Sequence, residues 1–171
     1  MGAVIIVNKN RNITRLELWA MRDFRMVILR ARTIGNIMKS IEKDHGDEAV
    51  AAFYEAGIDA GRSSTRALTK EWEEEHMDFI DKWAEFYGSK GVGWFELVSV
   101  KTDDDVCITD ITITDSFVAE GYGKAKKPVC HFLAGFFVGV FKESCGMDLS
   151  CEENECEAKG DSYCTFKFES I

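Results

Sequence analysis

Four residues in the last quarter of the chain have the types and spacing of a closed metal site: Cys130, Glu153, Cys156 and Cys164. Thiolates are soft ligands that favour zinc, and three of them with one carboxylate complete a four-coordinate tetrahedral site. A hairpin centred on Gly160 would place Cys156 and Cys164 directly opposite each other. The pattern therefore predicts Zn²⁺ held by these four side chains, with no position left open for a substrate.

The strand pattern around these ligands makes a further structural prediction. Cys164, Phe166 and Phe168 alternate with polar residues, which points the Cys164 sulfur to the buried face of a strand. Glu153 and Cys156 are three positions apart, so a regular strand would place their side chains on opposite faces. We therefore expect a bulge or turn at the intervening Asn154.

Disulfides are the alternative use of the cysteines. The even count of six suits a secreted disulfide framework, but the sequence from Met1 lacks the basic region and long apolar run of a signal peptide. A cytoplasmic location is therefore expected, where thiols stay reduced or bind metal. A Cys156–Cys164 disulfide or free buried thiols remain the alternatives. The other three cysteines are expected to be small buried hydrophobes: Cys107, Cys145 and Cys151.

Length and charge limit the classes of function. A chain of 171 residues fits one domain, 1–171, that can bury a sizeable core without needing a metal to do so. The net charge of −9 disfavours nonspecific binding to nucleic acid or anionic lipid. The most apolar helical segment is too short to span a bilayer, so no membrane span is expected.

The hydrophobic pattern predicts an α+β fold, with helices packed on one antiparallel sheet of at least four strands. A buried apolar helix is expected to open at Pro128 and to carry Cys130 in its first turn, where the helix dipole would lower the thiol pKa. The zinc site would then join this helix to the C-terminal hairpin. The remaining expected elements are a short strand at Val4–Val7, helices ending at Gly46, near Leu68 and at Gly88, and strands at Val92–Val100 and Val106–Ile113.

Aromatic and small residues suggest where a ligand could bind. Trp83, Trp94, Phe132 and Phe136 are candidate lining residues of an apolar pocket between the helices and the sheet, although simple core packing would also explain each one. Glycines on two helices allow either close helix packing or a flat ligand, and packing is the favoured explanation: Gly57, Gly61, Gly135 and Gly139. The apolar helix after Pro128 also suggests a surface for a homodimer.

The C-terminal sequence resembles the 4-vinyl reductase domain family, which is related to the ligand-sensing domain of phenol-responsive activators and to palmitate-binding TRAPP subunits. Cys130, the Glu153–Cys156 segment, Lys159–Asp161 and the Cys164–Phe166 segment carry the resemblance. It implies a dimeric α+β domain with an apolar small-molecule pocket, and zinc held by the same three cysteines and glutamate.

These observations favour a domain that binds or senses a small hydrophobic molecule and contains a structural zinc. An enzyme of pigment or hydrocarbon metabolism, either a reductase or a zinc hydrolase, is the second hypothesis. A metal saturated by four protein ligands disfavours the hydrolase, because catalytic zinc keeps an open position. The sequence shows no dinucleotide fingerprint for a reductase. The third hypothesis is an assembly subunit without a ligand.

Overall fold

A computed structural model describes residues 4–6, 29–72, 76–88, 92–103 and 108–171. The helices are α1 (Ala31–His45), α2 (Asp47–Trp72), α3 (His76–Tyr87), α4 (Phe117–Tyr122) and α5 (His131–Cys145), with a short 3-10 helix at Glu157–Lys159. The strands are β1 (Val4–Ile6), β2 (Glu96–Thr102), β3 (Ile108–Thr114), β4 (Leu149–Glu155) and β5 (Cys164–Ser170). Val7 and Val106, predicted to lie in strands, and Cys107, predicted to be buried, lie outside the described residues.

The described strands form one antiparallel sheet in the order β1-β2-β3-β5-β4. The side chains of β3 and β5 alternate between a buried face and a more exposed one, as expected of a sheet with one face on the core. Ile111, Ile113, Cys164 and Phe166 are completely buried. The predicted α+β class and the sheet of at least four strands are confirmed.

Helix α5 lies in the centre of the core, and every residue from Leu133 to Phe141 is buried. On one side it packs on the sheet, where the rings of Phe137 and Phe166 have centroids 5.0 Å apart. On the other side it crosses α2. Both faces of α5 are thus covered within one chain, so the apolar character of this helix gives no reason to expect a dimer.

Glycines allow α2 and α5 to cross at backbone contact. A methyl group added at any of the four glycines would lie less than 3.0 Å from a backbone carbonyl oxygen of the opposing helix. The four are Gly57, Gly61, Gly135 and Gly139, and this confirms that they serve close helix packing. Gly35 and Gly121 bring α1 and α4 together in the same way.

Two predicted element boundaries are wrong. Helix α5 begins after Cys130, because the ψ angle of 36° at this residue is not helical and the first helical hydrogen bond runs from the Ala134 N–H to the Cys130 carbonyl. Pro128 therefore precedes the helix. Strand β2 begins at Glu96 and not at Val92, since the N–H groups of Val92 and Trp94 bond to carbonyls at the end of α3 instead of a neighbouring strand.

Candidate metal centre

The structure brings Cys130, Glu153, Cys156 and Cys164 into one cluster in which a donor atom from each lies within 4.8 Å of all the others. All four residues are buried, and the three cysteines are completely inaccessible to solvent. The Cys130 sulfur lies 3.9 Å from the sulfur of Cys156 and 3.9 Å from that of Cys164. These residues come from the start of α5, the end of β4 and the start of β5, so the cluster joins the central helix to the C-terminal hairpin.

The local backbone explains how Glu153, in β4, and Cys156, the residue after the end of β4, reach the same point. The register of β4 and β5 shifts between Glu153 and Glu155, which places a bulge at Asn154. This bulge was predicted from the odd spacing of Glu153 and Cys156. At the hairpin end, Gly160 has a φ of 101°, a conformation that favours glycine. The turn is closed by the Asp161 N–H, which donates to the Cys156 carbonyl.

The donor spacing fits a tetrahedral zinc ion. Zinc–sulfur bonds of about 2.3 Å at tetrahedral angles place two sulfurs about 3.8 Å apart, close to the 3.9 Å separations around Cys130. One oxygen of Glu153, Oε2, accepts the Cys130 backbone N–H at 2.7 Å. The other, Oε1, is buried and has no hydrogen-bond partner among the described residues. A cation bound beside Oε1 would satisfy this carboxylate oxygen, so the donor set fits a metal ion of the zinc type.

The charges in the cluster are strongly coupled. Hydrogen bonds from the Cys130 and Cys164 thiols lower the pKa of Cys156, whereas burial raises the pKa of Cys130. Burial and the neighbouring Cys156 raise the pKa of Glu153 to about 8. The expected lowering of the Cys130 pKa by the helix dipole is therefore outweighed by burial in the metal-free cluster. Because thiol and carboxyl groups must lose protons to bind a metal, a metal ion at this cluster would be bound less tightly as the pH falls.

Two of the sulfurs also have a hydrogen-bond contact from outside the cluster. The Glu157 N–H donates to the Cys164 sulfur at 3.4 Å. The hydroxyl oxygen of Ser116 lies 3.3 Å from the Cys130 sulfur. Ser116 and Glu157 could not be predicted from the sequence, because neither belongs to a local pattern with the ligands.

The histidine next to Cys130 and the remaining described cysteines lie outside the cluster. His131, the first residue of α5, is not among the clustered donors. Cys145 and Cys151 are free and only partly buried, so they are less enclosed than expected. A surface cavity of about 420 Å³ lies next to the centre. It is lined by Asp115, Ser116, Ala119, Glu120, Gly123, Lys124, Glu157 and Ala158.

The four aromatic residues predicted to line a pocket lie together in one cluster of rings. Trp83 stacks on Phe136 with centroids 5.9 Å apart, and Trp94 contacts Phe136 at 5.2 Å and Phe132 at 5.9 Å. Trp83 and Phe136 are fully buried, whereas Trp94 and Phe132 are partly exposed. The Trp83 indole nitrogen has no hydrogen-bond partner among the described residues. That these rings bind a ligand stays a prediction.

The fold and the cluster together define an α+β domain with a buried centre of three thiols and one carboxylate. Residues 109–170, which include all four cluster residues, match the family model of the V4R domain. The resemblance to the 4-vinyl reductase domain family is thereby confirmed over this part of the chain. No curated protein matches the chain significantly.

Solved structures share the fold over most of the chain. The phenol-responsive sensory domain of the transcription activator PoxR, crystallised with phenol, aligns with a TM-score of 0.68 and 22% identity over 85% of this chain and 77% of its own. A vinyl-4-reductase family protein from Methanocaldococcus jannaschii aligns with a TM-score of 0.59 and 14% identity, over 92% and 89%. A trafficking protein particle complex subunit 3 from Naegleria fowleri, covalently bound to palmitic acid, aligns with a TM-score of 0.57 and 16% identity, over 91% and 94%.

No helix among the described residues is both long and apolar enough to cross a membrane.

Proposed function

We propose that the protein binds a small hydrophobic molecule, as a binding or sensory domain, and that a structural Zn²⁺ held by Cys130, Glu153, Cys156 and Cys164 fixes its C-terminal half. The zinc assignment rests on the donor set. Three thiols and a carboxylate with an unpartnered oxygen converge in a space that excludes water. In a reducing cytoplasm the thiols would remain available to the metal.

The observation that carries the ligand assignment is the ring cluster around Trp83 and Phe136. Its rings come from α3, α5 and the segment before β2, so it lies where the helical layer meets the sheet. A buried donor without a partner costs about 1–3 kcal/mol. A bound molecule with one hydroxyl or carbonyl oxygen would recover this cost at the Trp83 N–H, while its apolar part would lie against the rings.

The relatives support this class of ligand. The PoxR sensory domain was crystallised with phenol, and the Naegleria fowleri subunit carries palmitic acid. Both molecules combine a hydrocarbon body with a single polar group. We infer that the ligand of the present chain has the same general character.

The zinc site itself is not proposed as a catalytic centre. A catalytic zinc normally has three protein ligands and one exchangeable water, whereas this cluster offers four protein donors and is fully enclosed. A reductase that uses a separate cofactor remains the alternative enzyme. An assembly subunit without a ligand remains the third hypothesis.

Binding of a hydrophobic ligand is expected to raise the thermal unfolding midpoint of the purified protein. At a ligand concentration one hundred times its dissociation constant the native state gains about 2.7 kcal/mol. For a domain of this size that corresponds to a shift of about 5–11 °C. Fatty acids, phenols, isoprenoids and tetrapyrroles should be screened by differential scanning fluorimetry.

Trp94→Leu is expected to reduce the shift given by such a ligand, because it removes a partly exposed ring of the cluster but keeps an apolar side chain. Phe168→Leu is the matched control, since Phe168 contacts Phe141 at the other end of α5. An equal loss of binding in both variants, or no stabilising ligand in any class, would contradict the proposed ligand site. Zinc content should be unchanged in both.

We also propose a homodimer, on the basis of the family resemblance and of apolar residues that α1 leaves in solvent. Ile37 and Ile41 lie one turn apart and are 46% and 38% exposed. Multi-angle light scattering at micromolar concentration should give twice the chain mass. Ile37→Lys should give a monomer, whereas Val98→Lys, at an exposed apolar residue of β2, should not. A monomeric wild-type protein would refute the dimer.

A further inference from the structure

Two sulfur atoms of the metal centre are contacted from outside the cluster, in two different ways. The Cys164 sulfur accepts from the backbone N–H of Glu157 at 3.4 Å and lies 3.8 Å from a carboxylate oxygen of the same residue. Cys130 is instead contacted by the Ser116 side chain, 3.3 Å away. Among the described residues outside the cluster, Ser116 supplies the hydroxyl contact to these sulfurs. Because this contact comes from a side chain and not from the backbone, a substitution can remove it.

The direction of the Ser116–Cys130 hydrogen bond follows from the other contact of the hydroxyl. The Ser116 oxygen already accepts the Ala119 N–H at 3.2 Å, as the N-cap of α4. Its hydrogen is therefore available to donate. A cysteine bound to a metal is a thiolate and can only accept. In the metal-bound centre, Ser116 must be the donor and the Cys130 thiolate the acceptor.

The backbone around Ser116 is held in place by Glu157. One carboxylate oxygen of Glu157 accepts the Asp115 N–H and the other accepts the Ser116 N–H, each at 3.0 Å. Asp115 has a φ of 55°, which is uncommon for a residue other than glycine. Ser116 is only 1% exposed, so the contact between its hydroxyl and the sulfur is shielded from solvent. Glu157 thus links the loop before α4 to the hairpin that carries Cys156 and Cys164.

We propose that Ser116 is a positioning residue of the metal centre, whose hydroxyl stabilises the Cys130 thiolate as a ligand, and that Glu157 holds the hydroxyl there. This inference rests on the proposed zinc centre. Three thiolates and one carboxylate around a divalent ion leave an excess of negative charge in a buried site, and a donor to one thiolate offsets part of it. Outer hydrogen bonds of this kind typically contribute 10–100-fold to metal affinity.

Zinc affinity of the full chain, measured by competition with a chromophoric chelator, tests the inference. Ser116→Ala and Ser116→Gly are both expected to weaken Zn²⁺ binding by about 10–100-fold. The pair separates two roles of the serine, because glycine is a nearly adequate N-cap and alanine is not. If Ser116 served only to cap α4, Ser116→Gly would bind zinc like the wild type, and the inference would be overturned.

Ser144→Ala is the matched control, because Ser144 also lies beside a cysteine sulfur, 3.4 Å from that of Cys145, but away from the centre. It should leave zinc affinity unchanged.

A spectroscopic readout distinguishes the hydrogen bond from a general loss of structure. With Co²⁺ in place of zinc, loss of a donor to a thiolate raises the energy of the sulfur lone pair. The sulfur-to-cobalt charge-transfer band of Ser116→Gly should therefore move to longer wavelength, and that of Ser144→Ala should not. Wild-type affinity and an unshifted band in both Ser116 variants would overturn the inference. Absence of zinc binding by the wild type would overturn the proposed centre and, with it, this inference.

Discussion

Removal of zinc from the full chain is expected to lower its thermal unfolding midpoint by about 8–16 °C. A metal that binds only the native state adds about 4.1 kcal/mol when its concentration is one thousand times its dissociation constant. In domains of 150–250 residues each kcal/mol corresponds to about 2–4 °C. The metal-free chain should still fold, because the buried core extends along α5 and the sheet, well beyond the four ligands.

Cys156→Ser should give the same lowered midpoint with or without added zinc, since it removes the thiolate at the end of β4. Cys145→Ser is the control, because Cys145 is a free, partly buried cysteine outside the cluster. It should keep the zinc-dependent stabilisation. Differential scanning calorimetry of chelated and zinc-loaded protein measures both effects. Identical curves for the two forms of the wild type would contradict a structural role for the metal.

Gly61→Ala and Gly135→Ala are expected to destabilise the fold by about 1–3 kcal/mol or more, as overpacking does in other cores. A methyl group at Gly61 would collide with the Phe136 carbonyl, and one at Gly135 would collide with that of Tyr54. In each case the obstacle is backbone, so α2 and α5 would have to move apart. Urea unfolding with a fixed m-value measures the change.

The sign of this effect makes the test decisive. In an unobstructed helix, Gly→Ala stabilises by about 1 kcal/mol, because alanine has the higher helix propensity. Ser63→Ala, at an exposed position of α2, is the control and should be neutral or slightly stabilising. Stabilisation by either glycine substitution would show that the two helices do not cross in backbone contact.

The sequence predicted the candidate ligands because their constraints are local. Cys164 and Phe166 are two positions apart and therefore lie on the same, buried face of β5. Glu153 and Cys156 are three positions apart and can meet only through the bulge found at Asn154. Glycine spacing on α2 and α5 predicted their close packing for a similar reason, since a helix repeats its surface every three to four residues.

Features that depend on tertiary contacts could not be predicted in this way. The Ser116 hydroxyl meets the Cys130 sulfur across 14 positions of sequence, and Glu157 reaches the Ser116 N–H across 41. Cys130 ends up at the N-cap of α5, where its own N–H donates to Glu153. The preference of proline for the first turn of a helix placed the predicted start of α5 at Pro128. It gives no information about the hydrogen bond between Cys130 and Glu153, which depends on a distant strand.

Native mass spectrometry of the full chain, purified without chelator or added metal and combined with elemental analysis, tests the central claim most directly. We predict one zinc ion per chain, with all of its cysteines remaining reactive to a thiol reagent after denaturation and chelation. A chain that carries no metal, and whose mass and thiol count show a Cys156–Cys164 disulfide, would contradict the proposed zinc centre.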